Sequence, residues 1–360
     1  AIEWRKLGFG VVLSHRREGI ARGTGAIVTL NNDKENFVLL REKATAHYSF
    51  NKGSSIQEYP SSLMGAIALL RQTYLDAQWY ASLKDKTEFN LSLEAWNATQ
   101  NIPQIFEASD WLDCLRANKI ALEFGKKYIL KSNGSEYQRI DELKKLNVPI
   151  ITSLNFPKAF DVEDPYKALF VTIEELKHWE LAPTNLAALQ NAGIEFAITP
   201  SDVEKKDDFL KNLRTAVKHG LKEENALKAL TFTPAKLLGI TDITGSIEAG
   251  KLANFFITSK SLFDEKSVLH ENWIQGRRYE INAIPAKDMR GDYLLDIYAG
   301  SDTIKYSRLQ FSGEATAPKA QIIVTDSVKI DVKFSRKEKD ITLAFSPKKK
   351  EPENLIRLSG

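Results

Sequence analysis

The residues that could do chemistry in this chain are few and scattered. Its histidines are His15, His47, His178, His219 and His270, all isolated, and no two of them form an HxH pair. No glycine-rich phosphate cradle, serine elbow or Cys–His nucleophile is evident. The one cysteine, Cys114, excludes an intrachain disulfide and says nothing of compartment. It sits in an amphipathic helix, where a buried structural thiol competes with a nucleophile. His178, beside Trp179 and Glu180, ends a helix next to a long loop, and Trp179 reads as either core or substrate platform. His47 and Tyr48 read as strand residues, and Arg22, Arg71 and Gln72 as members of structural ion pairs or hydrogen bonds. Asn90-Leu91-Ser92, Asn97-Ala98-Thr99 and Asn133-Gly134-Ser135 match the glycosylation triplet, a pattern common by chance.

The elements that must position these residues follow from the hydrophobic pattern. The 360 residues suffice for a barrel-sized domain and a smaller one, and 43% hydrophobic with 27% charged residues is ordinary for a globular protein. A net charge of +3, with 50 basic residues spread among 47 acidic ones, does not suggest a nucleic-acid partner. No apolar run approaches the roughly 20 residues that span a bilayer. There is no signal peptide, and the opening AIEWRKLGFG lacks an initiator Met, which suggests a processed or truncated chain.

Val11–His15 reads as a short buried strand of the parallel-sheet kind, followed by strands at 26–30, 37–40 and 46–50. Ser61–Lys84 is a strong helix. From Ser92 to Thr199 strand and helix alternate. The strands are 103–108, 127–131, 148–152 and 195–199, and Ser109 is placed to cap the helix after the first of them. That alternation predicts a parallel α/β sheet or barrel. Glu223–Leu238 carries apolar residues near a 3.6-residue period, with Gly239 as its C-cap. From Gly291 onward about six strands form an all-β module, and Lys348-Lys349-Lys350 reads as a solvated hairpin turn.

The stretch LTFTPAKLLGITDITGSIEAGKLANFFIT, Leu230–Thr258, resembles the closing segment of the amidohydrolase superfamily. That segment is a "T-x-NPA-x-x-LG" helix followed by "GS-x-x-x-GK-x-ADLV". Thr231, Pro234, Ala235, Leu238, Gly239, Gly245, Ser246, Gly250, Lys251 and Ala253 match; Thr233 replaces the Asn of NPA and Asn254 the usual Asp. The likeness covers about residues 1–285 and looks most like the imidazolonepropionase- and prolidase-related branch, whose members hydrolyse C–N bonds in cyclic amides or dipeptides.

The resemblance implies an α/β fold, a TIM-like (β/α)8 barrel lacking its first strand in this chain. The organisation expected is a barrel over 1–240, strands of a small β-domain over 241–285, Trp273–Ile281 among them, and the all-β module over 286–360. It further implies a divalent ion held by an HxH pair, two more histidines and an aspartate at strand ends, lowering the pKa of a bound water. Here the fifth-strand His position reads Lys131 and the sixth falls near Thr152, neither of which replaces imidazole as a zinc ligand. The eighth-strand Asp position reads Ser201, with Asp202 one place late.

Catalytic candidates are therefore Asp202 and His15, the latter following a strand at the barrel's C-terminal end, where a hydrogen-bonded structural His is the alternative. Polar candidates for the barrel mouth are Glu107, Lys131, Thr152, Ser201 and His178. Lys131 could lend its charge to Glu107 or Asp202 and hold the mouth together without metal, at a desolvation cost. No cofactor is expected in this chain. Zinc or another divalent ion enters only if a missing N-terminal segment or a partner supplies ligands. That barrel segment, or another part of the same polypeptide, is the expected partner, and a homo-oligomer is possible.

Three functions stay open. One is a ligand-depleted module serving as a structural or regulatory half of a larger hydrolase. The second is a partner-completed hydrolase. The third is a carbohydrate- or peptide-binding protein using the barrel mouth and the β-module, which exposed Tyr293, Tyr298, Tyr306 and Phe311 would favour.

Overall fold

The computed structural model describes residues 1–84, 88–284, 288–299, 302–314, 317–325, 327–337, 340–347 and 355–359. The chain divides into two compact units, Ala1–Asn282 and Ala283–Gly360.

The first unit is built on a curled half-barrel sheet of seven strands in sequence order. They are β1 (Val11–Ser14), β2 (Ala21–Thr29), β3 (Leu39–Ser49), β4 (Gln104–Glu107), β5 (Tyr128–Lys131), β6 (Ile150–Ser153) and β7 (Phe196–Thr199). The strands from β3 to β7 run parallel, whereas β1 pairs with β2, and β2 with β3, antiparallel. The expectation of a buried, parallel-type strand at Val11 is thus corrected. The connection from Ser14 to Ala21 is too short for a helical crossover, so the chain turns back on itself.

Side-chain alternation assigns each face of the parallel strands. Tyr48, Phe106, Tyr128, Leu130, Ile150 and Ile198 point outward into the main core, shared with helix residues such as Leu70, Tyr74, Ala117 and Leu213. Their neighbours His47, Glu107, Lys131, Ser153 and Thr199 lie on the opposite, concave face.

Local chemistry explains most element ends, and three boundaries are corrected. Ser62 caps the helix Leu63–Ser82 by accepting from Gly65 N at 3.2 Å. Asp110, not Ser109, caps Trp111–Glu123, its carboxylate accepting from Asp113 N at 2.8 Å. Of the strand expected at 37–40, Leu39 and Leu40 open β3, whereas Phe37 and Val38 end a short helix Glu35–Val38, with Lys34 as N-cap and Glu35 in its first turn. The helix expected over 223–238 is two, Glu223–Leu230 and Phe232–Leu237. They part at Thr231 (φ −125°, ψ −77°), because Pro234 has no N–H to offer the carbonyl of Leu230. Gly239 does end the second, at φ +64°, in the left-handed region that glycine adopts without steric cost.

A second sheet of this unit, in the order β10-β9-β8, joins β8 (Phe255–Thr258), β9 (Leu269–Ile274) and β10 (Arg277–Glu280). Gln275 and Gly276, both at positive φ, form the tight turn of its second hairpin.

The second unit is one antiparallel sheet, β11 (Gly291–Ala299), β12 (Asp302–Glu314), β13 (Ala317–Thr325), β14 (Val328–Lys337), β15 (Asp340–Phe345) and β16 (Ile356–Ser359), in sequence order. Alternate residues Leu309 and Phe311, Ala320 and Ile322, Ile330 and Val332, and Leu343 and Phe345 form its core. Phe311 is therefore a core residue, while Tyr293 and Tyr298 are exposed. The Tyr306 side chain and Lys348–Lys350 lie outside the described residues. Among the described residues no helix is long and apolar enough to cross a membrane.

Candidate functional site at the half-barrel mouth

Glu107 and Lys131 are the last residues of β4 and β5, and the parallel register sets them side by side. Alternation turns both toward the concave face, and the Lys131 ammonium lies 3.1 Å from Glu107 Oε2. The same ammonium donates to Asp202 Oδ2 at 2.8 Å, across the sheet from β5 to the loop after β7. Asp202 reaches it from a left-handed backbone, φ +73°, a conformation that Asp tolerates better than most residues. Two guanidiniums complete the network. Arg22 on β2, its side chain only 4% exposed, meets Glu107 Oε2 at 3.0 Å and holds the Gly19 carbonyl through Nε at 2.9 Å. Arg17, in the turn after β1, bonds the other oxygen of Asp202.

Burial alone would raise both carboxyls. For Asp202, Lys131 and Arg17 outweigh it; for Glu107, Lys131 and Arg22 do, so both acids are held below their ordinary range.

Beside this network the rings of His15 and His47 stack, centroids 3.8 Å apart and planes within 5°. His15 Nδ1 donates to the Arg16 carbonyl at 2.9 Å, and His47 Nε2 pairs with Thr45 Oγ1 at 2.7 Å. Gly25 makes room for that pair. A Cβ there would meet Thr45 Oγ1 at 2.6 Å and His47 Nε2 at 2.7 Å, closer than side chains pack. Burial lowers both imidazoles. His15, Arg22 and Lys131 add to the effect on His47, which falls to about 3.

An open cleft of about 380 Å³ leads to the network. One wall comes from the β1 side, with Trp4, Leu13, Ser14, His15 and Arg17, and the other from the chain after β7, Pro200 to Val203 and Lys206, with Lys131 at the floor. Lys206 pairs with Glu3 and lies 5.1 Å over the Trp4 ring.

The sequence candidates thus separate. Glu107, Lys131 and Asp202 come together, and His15 and Ser201 line the same cleft. Ser201 Oγ accepts from Thr199 Oγ1 at 3.1 Å. Thr152 does not belong to the mouth. Its place in β6 has the parity of the core face, and its hydroxyl meets Asn185 Nδ2 at 3.5 Å behind the sheet. Ser153, one residue on, faces inward and donates to the Ser201 carbonyl at 2.9 Å. His178 pairs with the Tyr137 hydroxyl at 2.9 Å and is not among the residues lining the cleft. Arg17, Arg22 and His47 are the members that residue-by-residue reading missed or took as merely structural. The run His15-Arg16-Arg17-Glu18 straight after a strand was the available signal.

In this arrangement the acids of the mouth are held by cations. Both carboxylates are already committed to ammonium and guanidinium donors. The two imidazoles lie parallel, so their in-plane lone pairs cannot converge on one point, and among the described residues no three His, Cys, Asp or Glu side chains form a metal-sized group.

Residues 182–287 match the model of the Amidohydrolase family. The structure is similar to that of an amidohydrolase from Thermotoga maritima MSB8, with a TM-score of 0.63 and 26% identity over 78% of this chain and 74% of that one. A prolidase complexed with N-methylphosphonate-L-proline aligns with a TM-score of 0.38 at 14% identity, over 63% of this chain and 64% of that one. A Xaa-Pro dipeptidase aligns with a TM-score of 0.36 at 20% identity, over 52% of this chain and 47% of that one. No curated protein matches the chain.

Proposed function

This chain belongs to the amidohydrolase superfamily, and from that premise we propose that it is a module of hydrolase lineage with a structural or regulatory role, rather than one that activates water on a metal. The observation that carries this reading is the Lys131 ammonium between Glu107 and Asp202. In a metal-dependent hydrolase, acids at such strand ends spend their lone pairs on an ion and its water. Here the same lone pairs hold a fixed ammonium that carries no exchangeable water. The neutral histidines have no paired acid to orient them as a general base, since their polar partners are Thr45 and the Arg16 carbonyl.

A partner reading accompanies this one. Among the described residues, strands β1 and β7 each have a single sheet neighbour, so the half-barrel presents two strand edges without a partner strand there. Open edges offer unpaired backbone groups, and a further polypeptide segment adding strands there is the partner this fold accommodates.

The test is elemental analysis of the purified chain after dialysis without chelator, run beside a hydrolysis screen on dipeptides and cyclic amides. Metal well below one equivalent with no turnover is expected. One or two tightly held equivalents of zinc, manganese or iron, with turnover, would overturn the reading.

A further inference from the structure

The cleft wall is unbalanced in charge. It presents three cations, Arg17, Lys131 and Lys206, and one carboxylate, Asp202. Behind the wall Glu107 is shared by Arg22 and Lys131, and Glu3 pairs with Lys206. Four cations therefore face three carboxylates, and the imidazoles of His15 and His47, both lowered, add no charge at neutral pH. One positive charge is left over. It sits where Arg17, its side chain 54% exposed, meets the opening. Apolar surface flanks this charged floor as well, from the Trp4 ring, Leu13, Pro200 and Val203, beside the polar Ser14, His15 and Ser201. A cleft of about 380 Å³ with an excess positive charge at one end and an apolar flank suits a small ligand with one negative charge and a short apolar tail.

We propose that this cleft is a binding site for small monocarboxylates with an apolar chain, the carboxylate meeting Arg17 and Lys131 and the chain lying along Trp4, Leu13 and Val203. A planar guanidinium can hold a second carboxylate while keeping its bond to Asp202, because it has five N–H donors. The proposal rests on the reading that the mouth holds no catalytic metal and gives that mouth a ligand class.

The probe is sodium hexanoate, titrated into chelator-treated full chain and followed by calorimetry and tryptophan fluorescence, with hexanamide as the uncharged control. Saturable binding of hexanoate is expected, with hexanamide weaker by about tenfold, the worth of a charge-assisted hydrogen bond. Shortening the chain toward acetate should weaken binding by about twofold to fourfold per methylene. Arg17→Gln, at an exposed position the fold does not need, should lower affinity about tenfold. Trp4→Phe should remove the fluorescence change while keeping the heat of binding. Equal affinity for hexanoate and hexanamide, or an affinity unmoved by Arg17→Gln, would overturn the site. Metal-dependent turnover in the untreated chain together with hexanoate binding to the treated chain would sink the functional reading alone. Absence of both metal and hexanoate binding would sink only this inference.

Discussion

Two polar clusters flank the same strands, one at the solvent-facing mouth and one buried, and they treat their acids differently. On the concave face Glu107 and Asp202 are met by one ammonium and two guanidiniums. On the helix side Glu136 is fully buried, and among the described residues its hydrogen-bond partner is an amide. Its Oε2 accepts from Asn185 Nδ2 at 2.5 Å, its Oε1 has no hydrogen-bond partner among the described residues, and Asn185 Oδ1 ties the group to Tyr137 N at 2.8 Å. The nearby Cys114 thiol is pushed up by burial and by Glu136, which fits an inert core thiol rather than a nucleophile. The first cluster invests in charge at a solvent-facing mouth; the second ties a helical turn to a helix through an amide. At the mouth the acids are held by cations, and in the interior Glu136 is held by an amide.

The largest test of this contrast is Lys131→Met. Removing the ammonium leaves two acids facing each other, and a loss of about 3 kcal/mol in urea unfolding is expected. Adding Asp202→Asn to that variant should recover part of it, because this removes one of the two facing acids while Glu107 stays on the buried Arg22. If the double variant is no better than the single one, Lys131 acts through packing instead.

Next in size is an acid response that belongs to the mouth alone. His47 is held at about 3, below its unfolded value near 6.5. Its folded pKa is depressed, so its contribution is fully present above about pH 6.5 and is lost as pH falls toward 3. Between pH 7 and 4.5 this should remove about 2 kcal/mol of stability, and His47→Gln should flatten that slope. The lowered carboxyls Glu107 and Asp202 follow the carboxylate rule. Their stabilisation is present above their ordinary values, 4.5 for Glu107 and 3.8 for Asp202, and is lost as pH falls through the lower folded ones, so it fades only in the acid part of the His47 window. A slope unchanged in His47→Gln would assign the acid response elsewhere.

Glu136→Gln should cost no more than about 1 kcal/mol, since a neutral amide keeps the bond to Asn185 and no cation loses a partner. Thermal melts that drop as far as for Lys131→Met would erase the distinction between the clusters. The smallest effect is expected for Arg17→Gln, about 0.5 kcal/mol and shrinking with added salt, because that guanidinium is more than half exposed.

Much of this was legible in the residues. The hydrophobic rhythm from Ser92 to Thr199 is local, and so are the glycine that ends the helix before residue 240 and the strand ends carrying Glu107 and Lys131. Alternation and turn chemistry act over a few residues, so the sequence by itself determined an α/β sheet with an ammonium and a carboxylate at neighbouring strand ends. The segment around Pro234 misled because a missing N–H breaks a helix that the apolar period would continue. Thr152 misled because matching a strand to a motif does not count which face a residue takes.

What only the tertiary structure decided are the meetings between distant residues. Arg17 reaches Asp202 across 185 positions and Lys131 reaches it across 71, while His15, in the turn after β1, stacks on His47 of β3. These depend on the curl of the sheet, on the antiparallel return of β1 and on the left-handed turn at Asp202. Each of those is fixed by the packing of the whole unit, which no single stretch of the chain encodes.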